Sequence, residues 1–465
     1  MTEFRKEKDS VGQIDVLKDA YYGANAQRAK ENFQITGQKV DPKFLEAMVE
    51  VKKAAAIENE KIGLLTKDQK DAILYACDKI LEGEYIDNFI VDPIQGGAGT
   101  SFNMNTNEVI ANIANEKLGG GLGQYDKVHP NDHVNNGQST NDMIPTSGKI
   151  ALIRYFKELK VEIEELIKSL DKKGDEFKDV FKMGRTQLQD AIPMSLGQEF
   201  NAYSSVIRRD YKRMDKAIEA LSSVNFGGTA IGTGLNADTT YVNEIVDVLR
   251  EITGLDLKQS EDLIDGTQNL DGFVFASSIL KTLAVSLSKI SNDLRLMSSG
   301  PQTGIGDINL PVRQAGSSIM PGKVNPVIPE VVNQVAFAVV GNDTTVTMAV
   351  EAGQLELNAF EPVIFYKLFE SLRALKGGIN TLRINCIDGI TANKDSLLEE
   401  VEKSVGLVTA LAPHIGYDKS SMIAHKAQET GKSVRELVLE EGLMDEKELE
   451  KVLDFKKMIT PGIID

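Results

Sequence analysis

The chain has 465 residues, more than one ordinary hydrophobic core encloses, so two or three structural regions are expected. Its 69 acidic against 52 basic residues give a formal charge of −17, which argues against general nucleic-acid binding and against adsorption to anionic membranes. Two cysteines far apart, Cys77 and Cys386, and four scattered histidines, His129, His133, His414 and His425, argue against a disulfide scaffold and a zinc site. The N-terminus is charged and lacks an apolar core of signal-peptide length, and no later run reads as long enough to span a membrane, so a reducing cytoplasm is the expected compartment.

Residues 41–84 alternate apolar and charged groups at helical spacing, with Asp41-Pro42 as a start signal. From 92 to 147 the composition turns to Gly, Asn, Asp, Ser and Thr, which predicts loops interrupted by one short helix near 107–118. Two polar clusters lie there. Gly96-Gly97-Ala98-Gly99-Thr100-Ser101 has no Lys-Ser/Thr ending and no preceding strand pattern, which argues against a P-loop or dinucleotide site. The run from Pro130 to Asp142, including Ser139, Thr140 and Asn141, holds more donors and acceptors than one turn uses.

Long helices are expected over 147–174, 188–222, 273–299, 327–353 and 360–382. In the third, Ile279, Leu283, Leu287, Ile290, Leu294 and Met297 mark one face, while Ala276, Ser277, Ala284, Ser286 and Ser288 fill much of the remainder. Small residues in place of Lys and Glu predict burial on more than one side. The fold class is therefore mainly α, an elongated helical bundle whose extra apolar faces are covered by other subunits. Ahead of the second helix stands Gly184-Arg185-Thr186-Gln187-Leu188-Gln189-Asp190, whose Gln189 and Asp190 read as helix caps. Three regions are assigned, 1–140, 141–394 and a small helical 395–465.

Between the third and fourth helices lies Gly316-Ser317-Ser318-Ile319-Met320-Pro321-Gly322-Lys323-Val324-Asn325-Pro326. Glycine and proline free this loop from helical geometry, and it concentrates two hydroxyls, an ammonium and an amide. These groups suit a small dicarboxylate: Lys323 neutralises one carboxylate, Asn325 and a serine hydrogen-bond it, and the other serine is left as base or nucleophile. Against the overall negative field, local attraction falls to Lys323, Arg185 and Arg28.

This loop, together with the two polar clusters and Gly-Arg-Thr-Gln, resembles the fumarase/aspartase superfamily, whose members release fumarate from a succinyl-type skeleton. The resemblance runs from Tyr21-Tyr22-Gly23-Ala24 to Thr460-Pro461-Gly462. It implies a homotetramer with a central twenty-helix bundle, and active sites each built from three subunits. It implies Ser317 as the base, Thr100, Ser139, Thr140 and Ser318 around the carboxylate next to the abstracted proton, and Lys323 and Asn325, with Thr186 nearby, on the other carboxylate.

The fourth position of Gly-Arg-Thr-Gln separates two branches. Fumarases read Gly-Arg-Thr-His and use the imidazole with a distant glutamate to handle water. Here Glu330 is present but Gln187 replaces the histidine, and an amide cannot shuttle a proton near neutral pH. An ammonium leaving group departs as neutral ammonia without a general acid, and the oxygens of Thr100, Asn141, Thr186 and Gln187 are its acceptors. The wording Gly-Gly-Ala-Gly-Thr-Ser, Gln-Ser-Thr-Asn-Asp and Met-Gly-Arg-Thr-Gln-Leu-Gln-Asp resembles the aspartases, so the expected reaction is deamination of aspartate to fumarate and ammonia. The alternatives are fumarate hydration and a catalytically silent structural member. No organic cofactor is implied. Magnesium activates some aspartases, but no carboxylate cluster is assigned to a metal, and His129, Asn131 and Asp132 are at most a secondary anion site.

Overall fold

The computed structural model describes residues 3–464 and is mainly helical, with four small two-stranded sheets. Its residues fall into two compact units, each discontinuous in sequence. One takes the chain up to Lys160, then Lys212–Thr282 and Phe337–Leu375; the other takes Val161–Tyr211, Leu283–Ala336 and the chain from Lys376 onward. Five long helices, Thr140–Glu176, Leu196–Leu221, Asp271–Met297, Val327–Glu351 and Glu361–Asn385, divide their residues between the two.

In the first unit the helices start where local chemistry supplies hydrogen-bond acceptors. Asp41 accepts from the N–H of Lys43 with Pro42 behind it, which opens Pro42–Lys61. Thr66 and Gln69 form a reciprocal capping box at the head of Lys67–Leu81. Phe44 anchors the aromatic core, its ring centroid 4.9 Å from Phe102, 5.0 Å from Phe365 and 5.6 Å from Phe369.

The helix expected over 107–118 begins earlier and spans Thr100–Lys117. Its asparagines, of which Asn103 and Asn105 fall in the stretch that read as loop, are buried, and three of them bind the backbone of neighbouring loops. Asn105 pairs with Asn88 O and the N–H of Ile90, and Asn112 with Tyr21 O and the N–H of Gly123. Asn115 accepts the N–H of Lys127 and donates to Val128 O. Buried amides of this kind satisfy loop groups that would otherwise be orphaned.

The next long helix also begins before its expected start at 147, at Thr140, and carries Pro145 inside its second turn. Proline has no N–H for the carbonyl four residues back. That carbonyl, of Asn141, accepts instead from Asn225 Nδ2 at 3.0 Å.

In the second unit, the expected helix over 188–222 is shortened. Phe181–Thr186 and Gln189–Ser195 form an antiparallel hairpin, and the helix runs only over Leu196–Leu221. Pro193 biases Ile192 to an extended conformation, and Ser195 with Gln198 supplies the capping box that starts the helix after it. Gln189 and Asp190 are thus strand residues and not caps. Helices after Lys394 enclose a separate core of Val401, Leu407, Leu411, Ile423, Leu437, Val438 and Leu449, and Met183 of the hairpin is buried in it.

One correction concerns hydropathy. Asp271–Met297 is long and apolar enough by length and composition to cross a membrane, contrary to the expectation that no run reaches that length. Half of its most apolar stretch is buried within the chain, with Leu280, Leu283, Ala284, Leu287, Ile290 and Leu294 in the core.

Candidate active site

The ten residues singled out from sequence divide between the units: Thr100, Ser139, Thr140 and Asn141 lie in the first, and Thr186, Gln187, Ser317, Ser318, Lys323 and Asn325 in the second.

In the first unit they sit at the starts of two helices. Gly99, at φ 90°, turns the chain into Thr100–Lys117, and a Cβ there would lie 2.8 Å from Ile144, so the approach requires glycine. Thr100 Oγ1 donates to Gly97 O at 2.7 Å. Ser139 Oγ accepts from the N–H of Asn141 at 3.2 Å, and Thr140 Oγ1 accepts from Asn103 Nδ2 at 3.3 Å. Both hydroxyls therefore keep a proton to donate. Asn141 Nδ2 donates to Ala230 O at 2.7 Å.

A buried polar network lies against this segment. Lys52 Nζ donates to Asn135 Oδ1 and Gln138 Oε1, both at 2.9 Å, and Asn103 and Asn107 donate to the same Asn135 oxygen. Asp142 accepts from the N–H groups of Ser139, Gly227 and Thr229. Burial pushes the Asp142 carboxyl up to about 7 against those donors and the Lys52 charge, and burial pulls the Lys52 ammonium down to about 7. Of the residues in this network only Ser139 was a candidate from sequence.

In the second unit, Gln187 and Leu188 form the tip of the hairpin, at φ 53° and 65°. A two-residue turn with both residues left-handed favours Asn-Gly, and holding larger side chains there costs about 1–3 kcal/mol per residue. Strain of this kind, in a tip that carries Gln187 beside Thr186, marks a segment shaped for something other than stability.

The loop 316–326 closes on itself. The N–H of Gly316 donates to Lys323 O at 2.9 Å, and Asn325 Nδ2 donates to Gly316 O at 2.5 Å. A Cβ on Gly316 would lie 2.2 Å from Lys323 O, so the neck of the loop needs glycine. Ser317 Oγ accepts from the N–H groups of Ile319 at 3.2 Å and Met320 at 2.9 Å. Serine turns commonly do this. The same two donors would also stabilise an alkoxide at that oxygen.

The three cations expected to draw in an anion differ in what they already hold. Arg28 is paired with Asp9 at 2.7 Å, and Arg185 with Glu400 at 3.1 Å. Lys323 is exposed and makes no ion pair among the described residues. His129 Nδ1 caps the turn Pro130–Val134 by accepting from the N–H groups of Asn131 and Asp132. Among the described residues no three His, Cys, Asp or Glu side chains gather as a metal-holding group.

A lyase family model matches residues 12–341, and a fumarase C C-terminus model matches residues 407–460. The chain belongs to the fumarase/aspartase superfamily. Within that superfamily, aspartate ammonia-lyase of Bacillus sp is 49% identical over 99% of this chain and 99% of its own. Aspartate ammonia-lyase of Pseudomonas aeruginosa is 52% identical over 99% and 98%. A fumarate lyase:delta crystallin from Brucella melitensis, bound to cobalt, matches with a TM-score of 0.96 at 47% identity, covering 99% of this chain and 100% of that one. Recombinant class II fumarase from Schistosoma mansoni matches with 0.95 at 34% identity over 99% and 100%. The fold of this chain is the superfamily fold, as its polar motifs led one to expect.

Proposed function

We propose that this chain is an aspartate ammonia-lyase, converting L-aspartate to fumarate and ammonia. The observation that carries the reading is half-identity over essentially full length to aspartate ammonia-lyases from several bacterial genera. Gln187 agrees with it, because the tip of the hairpin offers an amide where water chemistry would call for an imidazole.

Ser317 acts as the base and removes a proton from the carbon beside the side-chain carboxylate. A serine hydroxyl is a poor base unless its alkoxide is stabilised, and the N–H groups of Ile319 and Met320 aimed at Oγ support that role. Proton loss puts a second negative charge on the neighbouring carboxylate. Ser139, Thr140 and Ser318 donate to it, as does Thr100 once its hydroxyl turns away from Gly97 O, each worth roughly 2.7–4 kcal/mol as an oxyanion-hole donor. The C–N bond then breaks with its electron pair on nitrogen, so ammonium leaves as neutral ammonia and fumarate remains. Lys323 and Asn325 hold the far carboxylate, with Thr186 nearby, and Asn141 and Gln187 accept from the departing ammonium.

The working form is a cytoplasmic homotetramer whose active sites each draw on three subunits. The helix Val327–Glu351 supports this, since Val331, Phe337, Val340 and Met348 are exposed along it, where a solitary helix would carry charges. The deciding experiment is ultraviolet detection of fumarate formed from L-aspartate and, separately, from L-malate. Fumarate from aspartate alone is expected; fumarate from malate alone would overturn the reading in favour of a hydratase, and none from either would favour a silent member.

A further inference from the structure

In the second unit, two of the segments assigned to the reaction are tied to one buried carboxylate. Asp307 has no exposed surface, and its Oδ2 lies 2.8 Å from Lys182 Nζ and 3.5 Å from Arg185 Nη1. Both cations stand on the first strand of the hairpin, and Arg185 directly precedes Thr186 and Gln187. Lys182 is itself buried and also pairs with Glu199 at 2.7 Å. Burial pulls its ammonium down, but Glu199 and Asp307 outweigh that and hold it above the ordinary lysine value.

On its other side Asp307 begins the stem of the loop 316–326. Ile308–Asn309 pairs with Thr391–Ala392, the N–H of Asn393 donates to Asp307 O at 3.1 Å, and Asn393 Nδ2 donates to Gly306 O at 2.6 Å. The stem is thus fixed on both sides of Asp307, and Pro311 packs where a Cβ on Gly389 would lie 2.6 Å from it.

Buried ion pairs are weak sources of stability, because desolvating the charges offsets their attraction, and an apolar cluster of similar volume would hold these elements as firmly. What a carboxylate shared by two cations adds is direction and register. We propose that Asp307 is a positioning residue, which locks the hairpin tip bearing Thr186 and Gln187 to the stem of the loop bearing Ser317 and Lys323. The proposal rests on the ammonia-lyase reading for its kinetic consequence but not for its structural one.

The test is Asp307→Asn, which removes the charge yet leaves Lys182 its partner Glu199. Steady-state kcat and KM for L-aspartate are measured on the folded protein, with amide hydrogen exchange followed over residues 181–195 and 310–326. Misplacing groups that meet the substrate costs roughly 10- to 100-fold, so kcat/KM should fall by that factor with both kcat and KM affected. Exchange should rise in both segments. A merely structural carboxylate would lower thermal stability and leave kcat and KM unchanged, and that result would overturn the proposal, as would faster exchange in one segment alone. Should Asp307→Asn fail to fold, Arg185→Gln removes the cation nearer the tip while Lys182 still pairs with Asp307; a smaller fall in kcat/KM with faster exchange over 181–195 is expected, and unchanged kcat, KM and exchange in that variant would equally overturn it. Should the wild-type protein make no fumarate from aspartate, the activity reading fails, and the exchange measurement still decides the role of Asp307.

Discussion

Ser317 and Lys323 sit in the same loop but are asked to do different work, and kinetics can separate them. Ser317→Ala removes the proposed base and nothing proposed to bind substrate in the ground state, so kcat should fall by roughly 10²–10⁴-fold with little change in KM. Activity near wild type would assign the base elsewhere. Lys323→Ala removes a charged hydrogen bond worth roughly 1.5–3 kcal/mol, so KM for aspartate should rise about 10- to 100-fold. An unchanged KM would refute its place on the carboxylate. The loop stood out in sequence because adjacent hydroxyls, an ammonium and an amide gather within ten residues and match the superfamily signature. Lys52 was not legible. It stands next to Lys53 in a charged, apolar-spaced helix, and nothing local says that Lys52 is buried against Asn135 and Gln138 while Lys53 pairs with Asp78 near the surface.

At the scale of elements, the informative cases are those in which a tertiary partner changed what a segment became. Asn103 and Asn105, ahead of the helix expected over 107–118, read as loop chemistry because such side chains compete with helical backbone for hydrogen bonds. The stretch is helical because the loop at Asn88 takes up the Asn105 amide instead, as Tyr21 and Val128 take up those of Asn112 and Asn115 further along the helix. Pro145 would ordinarily delay a helix start, and Asn225 removes the penalty by donating to the carbonyl that proline leaves unpaired. Asn225→Ala strands that carbonyl and also removes a 3.0 Å contact with Thr267 Oγ1. It should destabilise the protein by about 1–3 kcal/mol in urea unfolding, with unchanged m-value. Stability equal to wild type would mean that another donor reaches Asn141.

For the whole molecule, two measurements probe the buried interior. Glu108 accepts from the N–H groups of Gly23, Asn25 and Ala26 and from Asn25 Nδ2, pinning the first helix to the core. Burial nevertheless raises its carboxyl to about 7, above the 4.5 of an unfolded chain. A raised folded value means that the protonated form is favoured on folding. Its contribution is therefore complete below pH 4.5 and is lost as pH rises through 7. The stability of wild type relative to Glu108→Gln should decline by roughly 3 kcal/mol across that titration. A flat difference would place the carboxyl in a solvated setting. Cys77 and Cys386 are buried and their thiols pushed up to about 12 by burial. Neither should react with a thiol reagent in the native protein at neutral pH, and both should react after denaturation. Rapid native labelling would show that the core opens around them.

The sequence by itself determined the helical class, the run of long helices and the polar motifs that mark the family, because periodicity and functional-group type are local properties. It also separated the ammonia-lyase branch from the hydratase branch, since one amide in place of one imidazole changes which proton transfers are available. Only the tertiary structure decided where helices begin at Thr100 and Thr140, that 189–195 is strand, and that Lys52, Asp142 and Asp307 are buried and hydrogen-bonded or ion-paired beside the candidate segments. Apart from the hairpin, whose partner strand Phe181–Thr186 is adjacent, each of those outcomes depends on a hydrogen-bond or ion-pair partner far away in the chain, and a partner at that distance leaves no periodic trace.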